Sequence, residues 1–223
     1  MGYNKGDIYE HTIFQILQSK KILTKDSARA GAGGGADIKF LHKSQECNLE
    51  VKLDLKADYG QKMLKWNDEE LWSWCKTDSV TEFYTSLDLL NKINRKKIVP
   101  NRFTIPKKQI TTADKQKDQQ VFEDSIDIDI NALYDFYAHK NCYYIQVGGY
   151  GFYHLQQDIL SLGTPQFICQ MRLRLRAKTI HSQPVYNYGF YAVLKVLKTR
   201  DAPQKSKYDL EGKDSQSFPP IMP

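Results

Sequence analysis

The run "NLEVKLDL", residues 48–55, constrains the fold most strongly because its apolar and charged residues alternate without exception. A period of two residues is typical of a β-strand that is buried on one face. We therefore predict a strand whose core-facing residues are Leu49, Val51, Leu53 and Leu55. Its opposite face then carries Glu50, Lys52 and Asp54.

The preceding run "ADIKF" has the same alternation and ends in the polar segment "HKSQE", so we predict an antiparallel hairpin with Ile38 and Phe40 facing the core. If the turn centres near Ser44 and Gln45, Asp37 lies opposite Lys52. Glu50 is then the diagonal neighbour of Asp37, about 7–8 Å away between Cα atoms. Two carboxylates and an ammonium group would converge at the open end of the hairpin.

The remaining elements are predicted from helical spacing, capping signals and β-branched or aromatic content. Helices are expected over residues 7–20, 56–66, 79–94 and about 126–139, with Ser79 and Glu82 as a capping box for the third. Strands are expected within residues 142–155, 167–178 and 186–198, and residues 95–120 are expected to form an exposed loop. The pattern predicts an α/β protein with a β-rich C-terminal half.

The three charged residues of the hairpin have a specific chemical use. Two carboxylates can hold Mg²⁺, which prefers oxygen ligands and retains several water molecules. The ion polarises a phosphodiester and lowers the pKa of an attacking water, while a lysine orients that water or stabilises developing charge. The Val51 carbonyl is a further candidate ligand, and Glu10 on the first predicted helix would support the ion. The competing interpretation is a solvated hairpin face with an ordinary surface ion pair, worth about 0–1 kcal/mol.

An aspartate followed by Glu-x-Lys, downstream of a helix carrying a glutamate, resembles the PD-(D/E)XK nuclease superfamily of restriction endonucleases and resolvases. The resemblance covers residues 7–66 and departs from the pattern at Ala36, where a proline often stands. It implies a restriction-endonuclease-like mixed central sheet flanked by helices and Mg²⁺-dependent hydrolysis of double-stranded DNA, with Mn²⁺ as a substitute. Asp37, Glu50 and Lys52 match the signature positions, Glu10 the acid of the first helix, and Gln61 a glutamine on the next helix.

Two further segments are candidates for DNA contact. The loop "ARAGAGGGA", residues 28–36, brings Arg29 and Gly34 ahead of Asp37, either as a close approach to a phosphate backbone or as a flexible connector. The run "MRLRLRAK" places Arg172, Arg174 and Arg176 on one strand face, where arginine suits phosphates and guanine edges alike. A half-exposed strand face is the alternative for that run.

The predicted organisation is one nuclease domain over residues 1–198. It comprises the metal centre (1–66), a helical insertion (67–140) and a β-rich recognition part (141–198), followed by a mobile polar tail (199–223). The net charge of +6 favours a polyanionic partner. Scattered cysteines indicate reduced thiols in a cytoplasmic setting. The chain lacks a signal peptide and an 18-residue apolar stretch, so no membrane association is expected.

The favoured function is a type II restriction-type endodeoxyribonuclease, acting as a possible homodimer. A structure-selective or phage-type nuclease of the same superfamily remains open. A DNA-binding module without catalysis would use the basic strand but not the hairpin acids. A plain interaction protein, docking through the terminal "FPPIMP" segment, would need no DNA.

Overall fold

The computed structural model describes residues 4–23, 27, 37–66, 71–95, 111–113, 116, 127–179, 188–196 and 202–223. Its elements, in chain order, are α1 (Lys5–Ser19), β1 (Ile38–His42), β2 (Gln45–Lys52), β3 (Asp58–Trp66), β4 (Trp72–Trp74), α2 (Ser79–Ser86), α3 (Leu89–Arg95), β5 (Asp127–Ile128), α4 (Ile130–Ala138), β6 (Cys142–Val147), β7 (Gly151–His154), β8 (Met171–Thr179) and β9 (Tyr188–Val196). The protein is mixed α/β, as predicted.

The chain forms two compact units, each assembled from separate stretches of sequence. Unit 1 comprises Met1–Ala57, Asp129–Gln170 and Val196–Pro223, and unit 2 comprises Asp58–Ile128 and Met171–Lys195. The sequence predicts a single domain over residues 1–198. The observed boundaries fall inside each of its three predicted segments.

Unit 1 contains a mixed four-stranded sheet in the order β1-β2-β6-β7, flanked by helices α1 and α4. β1 and β2 are antiparallel, β2 and β6 are parallel, and β6 and β7 are antiparallel. The parallel pair places β2 in the interior of the sheet. Its last residues, Glu50, Val51 and Lys52, pair with β6 alone, because the pairing with β1 ends at Leu49.

Helix α1 begins at a reciprocal cap, in which the Asn4 side chain accepts from the Asp7 amide and the Asp7 carboxylate accepts from the Asn4 amide. Buried residues of α1 recur every four positions at Tyr9, Ile13 and Leu17. They share one apolar core with Leu49 and Val51 of β2, Ile38 and Phe40 of β1, and Tyr144 of β6. The predicted core face of the hairpin is confirmed.

The hairpin register differs from the predicted one by two residues. Ile38 pairs with Leu49 and His42 with Gln45, so the two-residue turn is Lys43–Ser44. Both turn residues have positive φ, 46° and 67°, as a hairpin turn matched to strand twist requires. The sequence does not reveal this turn, because neither residue is Gly, Asn or Asp, the types that favour positive φ in hairpin turns. A shift of two keeps every side chain on its predicted face, but it brings Asp37 level with Glu50 rather than Lys52.

Unit 2 contains a five-stranded sheet in the order β4-β3-β9-β8-β5. The predicted helix at residues 56–66 is wrong, because Asp58–Trp66 is strand β3, paired with β4 and β9. Gln61 consequently lies on a strand, opposite Val193, and its side chain is exposed. The pairing partner is more than 120 residues away in sequence, so local spacing could not reveal it.

The predicted helix over residues 79–94 is two helices, because Asp88, with φ 56°, interrupts it between α2 and α3. Asp78 rather than Ser79 is the N-cap of α2 and forms the capping box with Thr81. The predicted helix at about 126–139 is confirmed as the shorter α4, which follows the short strand β5. The strands predicted in the second half correspond to β6, β7, β8 and β9.

Residues 202–223 are not a mobile tail, because they pack into unit 1. Leu210 is fully buried, and Leu210 and Phe218 belong to the same core as α1. The Phe152 amide donates to the Tyr208 carbonyl at 2.7 Å, which ties the segment to β7. The polar composition predicts a mobile tail, and that prediction is wrong because a few buried apolar residues hold the whole segment against the core. No helix in the described part of the chain is long and apolar enough to span a membrane.

Candidate active site

The candidate site is built at the end of β2, where the strand leaves the sheet. Glu50 pairs with Ile145 and Lys52 with Val147 in the parallel strand β6. The Gly148 amide donates to the Lys52 carbonyl at 2.9 Å and holds the strand end in place. β2 ends at Lys52, so Leu53, Asp54 and Leu55, which the alternation places in the strand, lie beyond its observed end.

Glu50 and Lys52 form an ion pair that is largely removed from water. Glu50 is 5% exposed, and 14% of the Lys52 side chain is exposed. The solvated face, the competing interpretation of the sequence, is therefore wrong for these two residues. A buried ion pair pays a large desolvation penalty and is weak grounds for stability.

Asp37 lies beside this pair, immediately before β1. Its Oδ2 accepts a hydrogen bond from the Val51 amide at 2.8 Å. Burial and the nearby Glu50 carboxylate raise the pKa of Asp37 to about 7, although Lys52 and the Val51 amide act in the opposite direction. The shift shows that two carboxylates crowd one poorly solvated place.

Lys52 remains an ammonium group at neutral pH. Burial lowers its pKa, but the attraction of Glu50 and Asp37 is larger together, and the pKa of Lys52 is raised overall. The lysine can therefore donate hydrogen bonds and stabilise negative charge, but it cannot act as a neutral base.

Glu10 of α1 lies within electrostatic range of the site. Its carboxylate contributes to the raised pKa of Asp37, after the effects of burial, Glu50, Lys52 and the Val51 amide. The structure thus brings together the four residues predicted from the sequence: Glu10, Asp37, Glu50 and Lys52.

Sequence reasoning did not find Cys142, a buried thiol on β6 near Glu50. The pKa of Cys142 lies well above its ordinary value, because burial disfavours the thiolate and Glu50 repels it. Its Sγ donates to the Tyr144 carbonyl at 3.6 Å. Cys142 is therefore an uncharged thiol that lies beside Glu50. Only the parallel pairing of β2 and β6 identifies it, and no local pattern encodes that pairing.

The oxygen donors available to a metal ion are those of Asp37 and Glu50. The Val51 carbonyl points to the same side of β2 as its amide, and therefore towards Asp37. Among the described residues, no group of three or more His, Cys, Asp or Glu side chains is arranged to hold a metal ion. The donors fit Mg²⁺, which is bound through one or two carboxylates and keeps several waters, and do not fit an ion that needs an all-protein cage.

The other predicted contact residues lie either outside the described residues or in the other unit of the chain. Arg29 and Gly34 lie outside the described residues, and so do the side chains of Arg172, Arg174 and Arg176. β8 is a strand as predicted, and Arg172 lies opposite Asp127 of β5 in its register. Gln61 and β8 belong to unit 2, whereas Asp37, Glu50 and Lys52 belong to unit 1.

Comparisons of the chain with protein-family models, with curated proteins and with solved structures find no match.

Proposed function

We propose that this protein is a Mg²⁺-dependent endonuclease that hydrolyses DNA phosphodiester bonds. The observation that carries the proposal is the convergence of Asp37 and Glu50 beside the Lys52 ammonium in one poorly solvated place. The carboxylates of Asp37 and Glu50 repel each other, and burial of the Glu50–Lys52 ion pair has an unfavourable desolvation cost. A divalent cation that binds both carboxylates relieves this repulsion.

Asp37 and Glu50 would hold the ion, with the Val51 carbonyl as a further donor, and Glu10 would add negative charge nearby. Bound Mg²⁺ supplies a Lewis acid that polarises a phosphodiester and lowers the pKa of a bound water. Mn²⁺ has the same preference for oxygen ligands and would substitute.

Lys52 has the role of a fixed cation. Its ammonium group is held by Glu50 and stays protonated, so it can donate to a water or to a phosphate oxygen as negative charge develops. Glu50 therefore fixes the position of Lys52 in addition to offering oxygen atoms to the metal.

The finer proposal is a restriction-endonuclease-like fold with type II site-specific cleavage by a homodimer. The mixed sheet of unit 1 and the four matching residues support it. Digestion of plasmid into discrete fragments, together with a dimer mass in sedimentation equilibrium, would agree with it. A smear of products would favour a structure-selective or phage-type nuclease.

The test of catalysis compares the wild type with Lys52→Ala and with the double variant Glu50→Gln/Lys52→Met. Lys52→Ala leaves two carboxylates without their cation, and we expect a loss of about 3–5 kcal/mol of unfolding free energy. The double variant removes both charges at similar volume and should retain near-wild-type stability. Both should lose plasmid cleavage in Mg²⁺.

Plasmid nicking, urea unfolding and DNA binding without metal are the three measurements. A stable, DNA-binding double variant without nuclease activity separates a catalytic role from a structural one. Wild-type protein that cuts equally with Mg²⁺ and with a chelator would contradict the metal assignment. If it binds DNA but never cuts, the function is that of a binding module.

The basic strand β8 supplies a separate prediction about DNA contact. If Arg172, Arg174 and Arg176 bind phosphates, each Arg→Ala change should lower the slope of log affinity against log salt by about 0.9. Replacing an arginine that reads a base should instead weaken binding to the preferred sequence by roughly 1–3 kcal/mol and binding to other sequences only a little. Binding isotherms in Ca²⁺ at several salt concentrations measure both, with Leu173→Ala as the stability control. If all three variants keep the wild-type slope, this face of β8 does not contact DNA.

A further inference from the structure

An open cavity of about 580 Å³ lies in unit 1, between the end of α1 and the C-terminal segment. Its lining includes two cations, two aromatic rings and two neutral polar side chains: Lys20, Lys207, Phe218, Tyr208, Ser215 and Gln216. None of its lining residues is acidic. The proposed active site shares none of these residues.

Each lysine of the cavity is held over an aromatic ring. The Lys20 Nζ lies 4.1 Å from the centroid of the Phe218 ring, and the Lys207 Nζ lies 4.9 Å from that of Tyr208. Both lysines are exposed, and no ion pair found among the described residues involves either one. The rings thus restrict the two ammonium groups without neutralising their charge.

The acids of the C-terminal segment are engaged elsewhere. Asp209 accepts from the Gln146 amide group at 2.8 Å, and Glu211 accepts from the Tyr9 hydroxyl at 2.9 Å. Asp214 accepts from the Ser217 amide at 2.7 Å. The segment therefore directs its carboxylates into hydrogen bonds, whereas its Lys207 and Lys20, the C-cap residue of α1, remain on the cavity wall. Such a wall attracts anions.

The chemistry of the lining selects a phosphate group over a base. An ammonium group already covers one face of each ring, and a base would need such a face for stacking. Ammonium, hydroxyl and amide groups, by contrast, are all donors that a phosphate oxygen accepts. A net charge of +6 for the chain favours a polyanion that bears many such groups.

We propose that this cavity binds backbone phosphates of duplex DNA through Lys20 and Lys207. This inference rests on the proposed function only in its choice of DNA as the polyanion. These contacts use residues other than those of the proposed active site, and they carry no sequence information.

The test uses the full chain in chelator and a fluorescent 30-base-pair duplex at several salt concentrations. Lys20→Gln/Lys207→Gln removes both charges but keeps most of each aliphatic stem. We expect the slope of log affinity against log salt to fall by about 0.9 for each contact, hence by about 1.8. The matched control is Lys205→Gln/Lys213→Gln, which also removes two charges, both from the C-terminal segment, at residues that do not line the cavity. Its slope should stay close to the wild-type slope.

Equal slopes for the wild type and the cavity variant would overturn the proposal, and so would equal losses in both double variants. It is also overturned if the cavity variant loses affinity for a nucleoside monophosphate but not for the duplex, or if the wild type binds no duplex. Circular dichroism confirms that both variants are folded. If the wild type cleaves plasmid but the cavity variant shows no change in slope, only the phosphate-binding role of the cavity is overturned. If the slope changes but the wild type does not cleave plasmid, only the nuclease proposal is overturned.

Discussion

At the scale of the residue, Asp37 combines a neighbouring carboxylate, a backbone hydrogen bond and a shifted pKa in one side chain. Its half-buried carboxyl lies beside Glu50 and accepts from the Val51 amide. Burial and Glu50 raise its pKa from 3.8 to about 7, so Asp37 binds a proton more tightly in the folded chain than in the unfolded chain. A raised pKa of this kind contributes stability that is complete below pH 4 and is lost as the pH rises through about 7.

The variant Asp37→Asn should therefore gain stability over the wild type as the pH rises. The amide is neutral at every pH, so the difference in unfolding free energy should be small at pH 4 to 5 and largest above pH 7. Each pKa unit corresponds to about 1.4 kcal/mol, and partial solvation reduces it, so we expect on the order of 1–3 kcal/mol at pH 8.

Urea unfolding of both proteins at pH 5, 6, 7 and 8 measures this difference. Adding Mg²⁺ at pH 8 should stabilise the wild type and leave Asp37→Asn nearly unchanged, because binding to the folded state alone shifts the equilibrium. A pH-independent difference would show that Asp37 does not titrate near neutrality.

At the scale of the element, the end of β2 depends on its contact with the turn that follows β6. Gly148 donates to the Lys52 carbonyl. A Cβ atom at Gly148 would lie 2.1 Å from the Leu53 carbonyl oxygen and 3.2 Å from the Tyr9 ring. Glycine at this position therefore permits the close approach that fixes Lys52.

Gly148→Ala should lower the unfolding free energy by about 3 kcal/mol, since the backbone of either Leu53 or Gly148 must move. It should also reduce the proposed nuclease activity in the folded fraction, because the same shift displaces Lys52. Gly149→Ala is the matched control, since a Cβ there meets nothing within 4 Å and only its φ of 75° is unfavourable. We expect about 1–2 kcal/mol for that variant. Equal losses in thermal unfolding would contradict the importance of the contact.

At the scale of the whole molecule, the C-terminal segment completes the core of unit 1. The buried side chain of Gln146 donates to Tyr9 and Asp209 and accepts from the Leu210 amide at 3.1 Å. Helix α1, strand β6 and the C-terminal segment thus share one hydrogen-bond network above one apolar core. A unit assembled from three separated stretches of chain depends on the last stretch to exclude water.

Leu210→Ala should lower the unfolding free energy by about 2–5 kcal/mol, because it opens a cavity in this core. Met222→Ala, at a side chain that is 47% exposed, should change it by less than about 0.5 kcal/mol. Chemical unfolding followed by circular dichroism measures both. A Leu210→Ala protein as stable as the Met222→Ala protein would show that the segment is dispensable.

Short repeats in the sequence are enough to predict the local elements of unit 1. Strict alternation at residues 49–52 identified β2 and its buried face, four-residue spacing identified α1, and the residue types of the hairpin identified Asp37, Glu50 and Lys52 as a group. These features depend on the repeat of a strand or a helix, which extends over a few residues and is therefore written locally.

Other features depend on residues that are distant in the chain, and they become visible only in the folded protein. Pairing with β9 makes residues 58–66 a strand, and parallel pairing with β6 buries Glu50 and brings Cys142 beside it. The left-handed turn at Lys43–Ser44 set the register that places Asp37 next to Glu50. The apolar anchors of residues 202–223 outweigh their polar composition only because a core is present to receive them. In each case the free energy of long-range burial and pairing exceeds a local preference of a few tenths of a kcal/mol per residue.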